Sequence, residues 1–359
     1  MVSERIVVSE MTDRLVDTDT ERAPVAVPGR VVPPRGRRLV LARLRDFSLI
    51  PVILLLLLVG FIVSPNFLTR GNLIDVLQQC TELSLLVLGE AMILIAGRMD
   101  LSLESTIGVA PVIAVWLAAP SHGGRFTGLD LLPGWTTVPV CLLVGALIGL
   151  INGLVVTKVR INAFILTLGM LIALRGLQLG ISGGNSIFEL PGSFKYLGHT
   201  AWLGLPVSLW ICGIIFAVAI VALGWLRHGR SLYAIGGNAE AARAAGIRTD
   251  RVLLIVFITA STLAALAGVL YVGHYGSISA DQGSGWIFKV FAAAVIGGVS
   301  LNGGRGSLFG ALTGVVALQL ILNVMNFARV PPAWDQLVYG VIILMALVVS
   351  RFTSGEAQD

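Results

Sequence analysis

The chain has 359 residues, of which 56% are hydrophobic and only 13% are charged, and its formal net charge is +5. This composition excludes an ordinary soluble globular protein and is typical of a polytopic helical membrane protein. The positive charge lies in short segments between apolar runs. It does not form a basic face interleaved with aromatic residues, so nothing indicates nucleic-acid binding.

The first 46 residues precede every apolar run and are rich in charges and prolines. They lack the apolar core of a signal peptide, and we predict a disordered tail over 1–46. By the positive-inside rule, the arginines before the first run predict that this tail is cytoplasmic. These arginines are Arg35, Arg37, Arg38, Arg43 and Arg45.

About ten apolar runs follow, each near the roughly 20 residues that a membrane-spanning helix needs. They are continuously apolar, which argues against a transmembrane barrel with its alternating strands. We therefore predict an all-α fold with one membrane domain over 47–351 and a short cytoplasmic tail over 352–359. The runs lie near 47–64, 73–97, 101–119, 136–157, 161–182, 207–226, 252–273, 287–299, 309–328 and 335–350, and the eighth is the shortest.

The second run carries four polar residues, Gln78, Gln79, Glu82 and Glu90. At about 100° per residue they fall within roughly one third of a helix circumference. Ionisable groups at the bilayer centre cost about 2.5 to 3.5 kcal/mol and tend to face a water-filled cavity or a polar partner. One hypothesis is that this stripe lines a solute path. The alternative is that the first three are merely solvated near the outer interface, whereas Glu90 lies deeper.

Two polar residues in neighbouring runs, Asn152 and Thr167, are further candidates for the path. Asn152 precedes Gly153, so an interhelical hydrogen bond at a close crossing explains it more simply. Asp100 with Ser102 can cap the helix that starts near residue 101.

No cofactor or metal site is expected in this chain. Cys80, Cys141 and Cys212 fall within predicted spans, where a thiol behaves as a small hydrophobe, so we expect neither a disulfide nor a metal centre. The four histidines are scattered, and the spacings typical of nucleophilic catalysis, metal hydrolysis or phosphate binding do not occur. We therefore predict that the chain is not an enzyme and that another chain binds any ATP that drives it.

A polar loop over 227–251 separates two apolar runs and contains GGNAEAARAAGI. Asn238 predicts a helix N-cap, and Gly246 predicts the left-handed residue that ends the helix. Glu240 and Arg243 lie where their charges complement the helix dipole. Because helices shorter than about 12 to 15 residues are marginal in water, this one must be held by its flanks or docked on another molecule. In a membrane protein such an exposed helix predicts a soluble partner.

Two glycine-rich segments, IAGRMDLSLES over 95–105 and VIGGVSLNGGRGS over 295–307, both join an apolar run to the polar start of the next. They predict either a weak internal repeat or simply sharp turns that allow close helix packing.

Five segments, in this order, resemble the permease subunits of bacterial ABC importers of the ribose, xylose and galactose class. The resemblance covers nearly the whole membrane domain. The segments are LGEAMILIAGRMDLSLES, INGLVVTKVRINAFILTLGMLIALRGL, LYAIGGNAEAARAAGIRTDRV, VIGGVSLNGGRGSLFGALTGV and PPAWDQLVYGVIILMALVV.

The resemblance implies a type II ABC importer permease in the bacterial plasma membrane. With the N-terminal tail in the cytoplasm, an even number of spans predicts that the C-terminus lies there too. The resemblance further implies two ABC ATPase subunits that bind ATP and Mg, an extracytoplasmic solute-binding protein and a second permease chain. The short polar helix is similar to the coupling helix that inserts into a groove of the ATPase. The coupling residues implied are Asn238, Glu240, Ala241, Arg243 and Gly246.

The chain departs from the family pattern at Arg98 and Glu104, which replace small residues after the second run. We predict that Arg98 pairs with Glu104 or with Asp100. Glu90 stands where many relatives are uncharged, which puts an ordinary neutral aldose in question and leaves a polyol, a modified sugar or a cationic sugar open as the solute. Two rival functions remain, a branched-chain amino-acid ABC permease and an ion-coupled secondary carrier that uses Glu90. A membrane-embedded enzyme ranks last because no nucleophile and base can be paired.

Overall fold

The computed structural model describes residues 49–122 and 126–354. The predicted tail over 1–46 and residues 355–359 of the second predicted tail lie outside these ranges. The described residues are almost entirely helical. In chain order the helices are α1 Ile50–Val63, α2 Arg70–Ile95, α3 Leu103–Ala118, α4 Thr137–Leu154, α5 Ala163–Ser182, α6 Gly192–His199, α7 Val207–Trp225, α8 Arg227–Gly237, α9 Ala239–Ala244, α10 Thr249–Tyr275, α11 Trp286–Ile296, α12 Leu308–Phe327 and α13 Asp335–Ser354.

Shorter elements connect these helices. Two-residue strands, β1 Ala201–Trp202 and β2 Leu205–Pro206, pair antiparallel in a small hairpin between α6 and α7. A π-helical turn over Val155–Val159 extends α4, and 3-10 turns lie at Pro65–Leu68, Gly134–Thr136 and Pro332–Trp334. The predicted all-α fold is confirmed.

By length and composition, six helices could cross a membrane, namely α2, α4 with its flanking turns, α5, α7, α10 and α12. Four further apolar helices, α1, α3, α11 and the first part of α13, are shorter. Each predicted apolar run therefore corresponds to one helix, and the number of complete crossings stays a prediction. α11, at the eighth run, has only 11 residues, which at 1.5 Å per residue covers about half of a bilayer core.

α2 is the central helix of the described residues. In the apolar part of α2, 94% of residues are buried, compared with 17% in α5. It packs against α10, α12, α11 and α7. The outward faces of α1, α5 and α7 expose large apolar side chains, including Leu54, Ile165 and Val218. Apolar faces of this kind suit contact with lipid or with another membrane chain.

α4 and α10 cross closely because glycines remove side chains from the contact. Gly145, Gly149 and Gly153 recur every four residues on one face of α4. A Cβ atom added to Gly149 would lie 2.4 Å from the carbonyl oxygen of Phe257 in α10. This spacing of small residues is the pattern by which membrane helices bring their backbones together.

Candidate functional site

α2 ends in a sharp turn that sends the chain back toward the protein interior. Gly97 has a φ of +72°. The N–H groups of Gly97 and Arg98 donate to the carbonyls of Leu94 and Ile93, at 2.8 and 3.0 Å. This is a Schellman motif, which needs a left-handed residue and so favours glycine.

α11 ends in the same way. Gly298 has a φ of +80°, and its N–H and that of Val299 donate to the carbonyls of Val295 and Ala294, both at 2.9 Å. The two glycine-rich segments noted in the sequence therefore share one helix-ending geometry. Whether they reflect a repeat of longer extent stays a prediction.

The segment between α2 and α3 is held by a buried carboxylate, Asp100. The Oδ1 atom of Asp100 accepts bonds from the N–H and the hydroxyl of Ser102, at 2.9 and 2.6 Å. The N–H of Asp100 donates to Oε1 of Glu90 at 3.3 Å. Asp100 and Glu90 are both 0% exposed. Glu90 therefore contacts the re-entrant backbone, and its predicted role in a solute path stays a prediction.

The other two interior candidates join the same network. Asn152 Nδ2 donates to the hydroxyl of Ser102 at 2.8 Å, linking α4 to the re-entrant segment. Thr167 Oγ1 accepts the N–H of Leu101 at 3.1 Å, linking α5 to it. The interhelical hydrogen bond considered for Asn152 is therefore present. Both side chains hold the chain after α2 in place.

Glu104, at the start of α3, pairs with a residue far away in sequence. Its Oε1 lies 3.4 Å from Nη2 of Arg175 in α5, and its Oε2 accepts the N–H of Ile287 at 3.1 Å. The predicted pairing of Arg98 with Glu104 or Asp100 is wrong. Arg98 is exposed and lines a polar pocket together with Arg243.

Glu82 occupies the middle of α2, about 18 Å along the axis from either end of that helix. It is 2% exposed, and its Oε1 lies 2.7 Å from Nδ1 of His274 in α10. Gln78 is also buried and donates to the carbonyl of Gly198 at 3.1 Å. Gln79 is half-buried. The alternative that these three side chains are merely solvated does not fit the burial of Gln78 and Glu82.

Aromatic and charged side chains surround this Glu82–His274 pair, and we call them the aromatic–ionic cluster. The rings of Tyr271 and Tyr275 lie 4.4 Å apart, and Tyr271 meets Trp286 edge-on at 5.4 Å. The Lys289 ammonium lies 5.5 Å from the Trp286 ring and 5.8 Å from the Tyr339 ring. The cluster comprises Glu82, Tyr271, His274, Tyr275, Trp286, Lys289 and Tyr339.

No motif in the sequence singles out the last six of these residues. They come from α10, α11 and α13, which lie side by side only after folding. Lys289 within an apolar run was the signal available, because a cation there requires a polar surrounding.

The short helix in the polar loop is α9. Asn238 caps it, because its Oδ1 accepts the N–H groups of Glu240 and Ala241 at 3.0 and 2.9 Å. Gly246 follows its C-terminus with a φ of +81°. Glu240, Ala241 and Arg243 are exposed, whereas Ala242 is buried against the protein. α9 thus presents one face to the protein and leaves the other available to a partner.

Gly236 lies near the end of α8, shortly before α9. It contacts both the end of α2 and the loop after α11. A Cβ at Gly236 would lie 1.8 Å from the carbonyl oxygen of Ile95 and 2.5 Å from the N of Gly304. Gly304 itself donates to that Ile95 carbonyl at 2.9 Å. We call this contact of Ile95, Gly236 and Gly304 the glycine junction. It connects the base of α9 to both helix breaks.

Exposed cations gather at the end of the protein that carries α9. They are Arg98, Lys158, Arg160, Arg227, Arg230, Arg243, Arg248, Arg251 and Arg305. No group of three or more His, Cys, Asp or Glu side chains suited to a metal ion occurs within 49–122 and 126–354.

Comparison with known proteins gives one family and several relatives of nearly full length. The model of the family described as branched-chain amino acid transport system / permease component matches residues 72–347. The ribose import permease protein of Escherichia coli (strain K12) is 33% identical over 308 residues, covering 85% of this chain and 92% of the relative. That of Haemophilus influenzae is 30% identical over 309 residues, covering 85% and 92%. The autoinducer 2 import system permease protein of Escherichia coli (strain K12 / DH10B) is 33% identical over 304 residues, covering 84% and 85%.

Proposed function

This chain belongs to the family of transport-system permease components, and from that premise we propose that it imports a sugar or sugar-like solute as the membrane subunit of an ABC importer. The observation that carries the proposal is the near full-length match to import permeases for ribose and for autoinducer 2. Because both chains are covered almost end to end, the similarity extends over the whole membrane domain and not only over one motif.

We propose that α9 is the coupling helix that docks on an ATPase subunit. Its exposed face carries Glu240, Ala241 and Arg243, while Asn238 and Gly246 fix its two ends. A helix of six residues does not persist alone in water. Here the buried Ala242 and the cap hold it in place, so that a partner meets a preformed surface.

The remaining partners follow from this proposal. Two ATPase subunits bind ATP and Mg, a binding protein delivers the solute outside the membrane, and a second permease chain completes the path. The cations at the α9 end support a cytoplasmic position for that end, by the positive-inside rule. Both chain termini then lie in the cytoplasm of a multi-pass protein of the bacterial inner membrane.

The two rival functions receive less support. The family description names branched-chain amino acids, but the relatives named above import ribose and autoinducer 2. For the ion-coupled carrier, Glu90 would have to meet an ion on a water-accessible path. Instead Glu90 is 0% exposed and bonds to the backbone of Asp100.

Transport by the complete importer, purified through a tag on this chain and reconstituted into liposomes, tests the function. We expect ATP-dependent accumulation of a neutral sugar from a panel of D-ribose, D-xylose and D-galactose, insensitive to an uncoupler. Accumulation of L-leucine alone would support the amino-acid permease. Accumulation that needs no ATP and collapses with an uncoupler would support the ion-coupled carrier.

A proline exchange within α9 tests the coupling role separately. In Ala242→Pro the N–H that donates to the carbonyl of Asn238 at 3.0 Å is lost, and an interior proline breaks the helix. We expect transport to be abolished while membrane insertion is retained. The matched control is Ala239→Pro, because proline is tolerated at the first position of a helix. Normal uptake by Ala242→Pro would refute the coupling role of α9.

A further inference from the structure

The aromatic–ionic cluster surrounds Glu82, which lies halfway along the central helix, where a charged group is costly unless a polar partner or water compensates it. Glu82 and Lys289 both stand inside apolar helices, and Glu82 pairs with His274 at 2.7 Å. Ionisable groups within membrane helices mark the pathways of substrates and ions. Transporters with interrupted helices also place their solute sites near the middle of the bilayer. α11, with 11 residues, has about the length of one half of such a helix.

A buried hydroxyl in the cluster has no partner within the described residues. Tyr339 is 3% exposed, and its OH group makes no hydrogen bond. Leaving a buried polar group without a partner costs about 1–3 kcal/mol. Since buried polar groups in native proteins nearly always find a partner, this hydroxyl is available to bind a molecule from outside the chain.

The cluster holds charges of both signs. Glu82 pairs with His274, and the carboxylates of Glu82 and Asp335 attract the Lys289 ammonium. Because Glu82 and Lys289 carry opposite charges, the cluster does not favour an anion or a cation over a neutral molecule. A neutral molecule with many hydroxyl groups would find one carboxylate acceptor, one ammonium donor and the Tyr339 hydroxyl among these residues.

The rings supply the second element of recognition. Tyr271, Tyr275 and Trp286 present flat apolar surfaces whose polar tips lie at their edges. Small-molecule sites combine such apolar and aromatic walls with a few polar groups that fix orientation. The rings cover the less polar faces of a solute while the polar groups bind its hydroxyls.

We propose that the aromatic–ionic cluster is the site at which this permease itself binds its solute, and that the solute is an uncharged polyhydroxylated ring. The inference rests on the proposed import function and adds both the residues and the chemical class. The cationic sugar that Glu90 left open as a solute does not follow from this site, because Glu90 lies outside the cluster and accepts a hydrogen bond from the backbone of Asp100.

Binding to the permease without its partners tests this proposal. The full chain in lipid nanodiscs is probed by saturation-transfer difference NMR, which detects weak ligands. The probes are D-ribose, D-xylose and D-galactose as neutral sugars, with D-glucosamine, D-glucuronate and L-leucine as comparators. We expect transfer to at least one neutral sugar and at least five-fold less transfer to the charged sugars and to leucine.

Two variants locate the site. Tyr339→Phe removes only the unpartnered hydroxyl, and Trp286→Leu removes one ring. Both should lower saturation transfer at least three-fold. The matched controls are Tyr196→Phe and Phe288→Leu, whose side chains are 50% and 55% exposed outside the cluster, and these should match the unaltered chain.

The outcomes separate this inference from the proposed function. Equal transfer in Tyr339→Phe, Trp286→Leu and both controls would overturn the site, while ATP-driven sugar uptake by the complete importer would leave the proposed function intact. Stronger transfer to D-glucosamine than to any neutral sugar would overturn the inferred class of solute. Import of L-leucine but of no sugar by the complete importer would overturn the proposed function and the inferred class together.

Discussion

Gly236→Ala places a single methyl group into the glycine junction. The added Cβ would lie 1.8 Å from the Ile95 carbonyl oxygen and 2.5 Å from the N of Gly304. Ordinary van der Waals spacing is about 3.5 Å, so α8 must move away from the end of α2 by more than about 1.5 Å. Both atoms it meets belong to backbone and cannot rotate away.

Overpacking of this kind costs about 1–3 kcal/mol. The cost falls on the contact between the base of α9 and the two helix breaks, since the Gly304 N–H bond to the Ile95 carbonyl lies at the same point. We therefore expect the fold to survive and coupling to suffer. ATP hydrolysis by the complete importer should continue, whereas solute uptake should fall at least ten-fold.

The assay measures ATP hydrolysis and solute uptake by the same proteoliposomes, together with thermal unfolding of the purified permease. Gly237→Ala is the matched control, because a Cβ at Gly237 would meet nothing within 4 Å. It should behave like the unaltered protein. Unchanged uptake in Gly236→Ala would refute the argument that this junction transmits movement.

Three further predictions concern the buried network and the α9 cap. Glu90→Gln should retain uptake, because an amide oxygen can still accept the Asp100 N–H at 3.3 Å; loss of uptake with an unchanged melting temperature would instead favour an ion site. Arg175→Met should lower the free energy of unfolding by about 3 kcal/mol, since it leaves the Glu104 carboxylate without its cation, and adding Glu104→Gln should restore part of this loss. Equal melting temperatures for the single and double variants would contradict that pairing. Asn238→Ala should destabilise α9 by about 1 kcal/mol, seen as roughly five-fold faster hydrogen exchange at the Glu240 and Ala241 amides; unchanged exchange would argue against the cap.

The sequence predicts well those elements that are determined by residues close to one another in the chain. Long apolar runs correspond to the apolar helices, and the bounds of α9 follow from Asn238 and Gly246, because caps act within one turn. The polar stripe on α2 was likewise visible, since helical periodicity places its members on one face.

Contacts between distant segments could not be predicted in this way. Proximity in sequence favours Arg98 as the partner of Glu104, because the two lie six positions apart. The tight turn after α2 instead leaves Arg98 exposed on the surface. The actual partner, Arg175, belongs to α5. The aromatic–ionic cluster was missed for the same reason, as Tyr271, Trp286 and Tyr339 become neighbours only through helix packing.

The glycine junction also bears on how such a protein keeps the membrane sealed. One residue, Gly236, touches the end of α2 and the loop after α11 at once, so a shift of one segment would press on the other. A transporter whose two barriers moved independently would sometimes have both open and would dissipate ion gradients. A backbone contact shared by both segments would favour their moving together and would thereby limit such a leak.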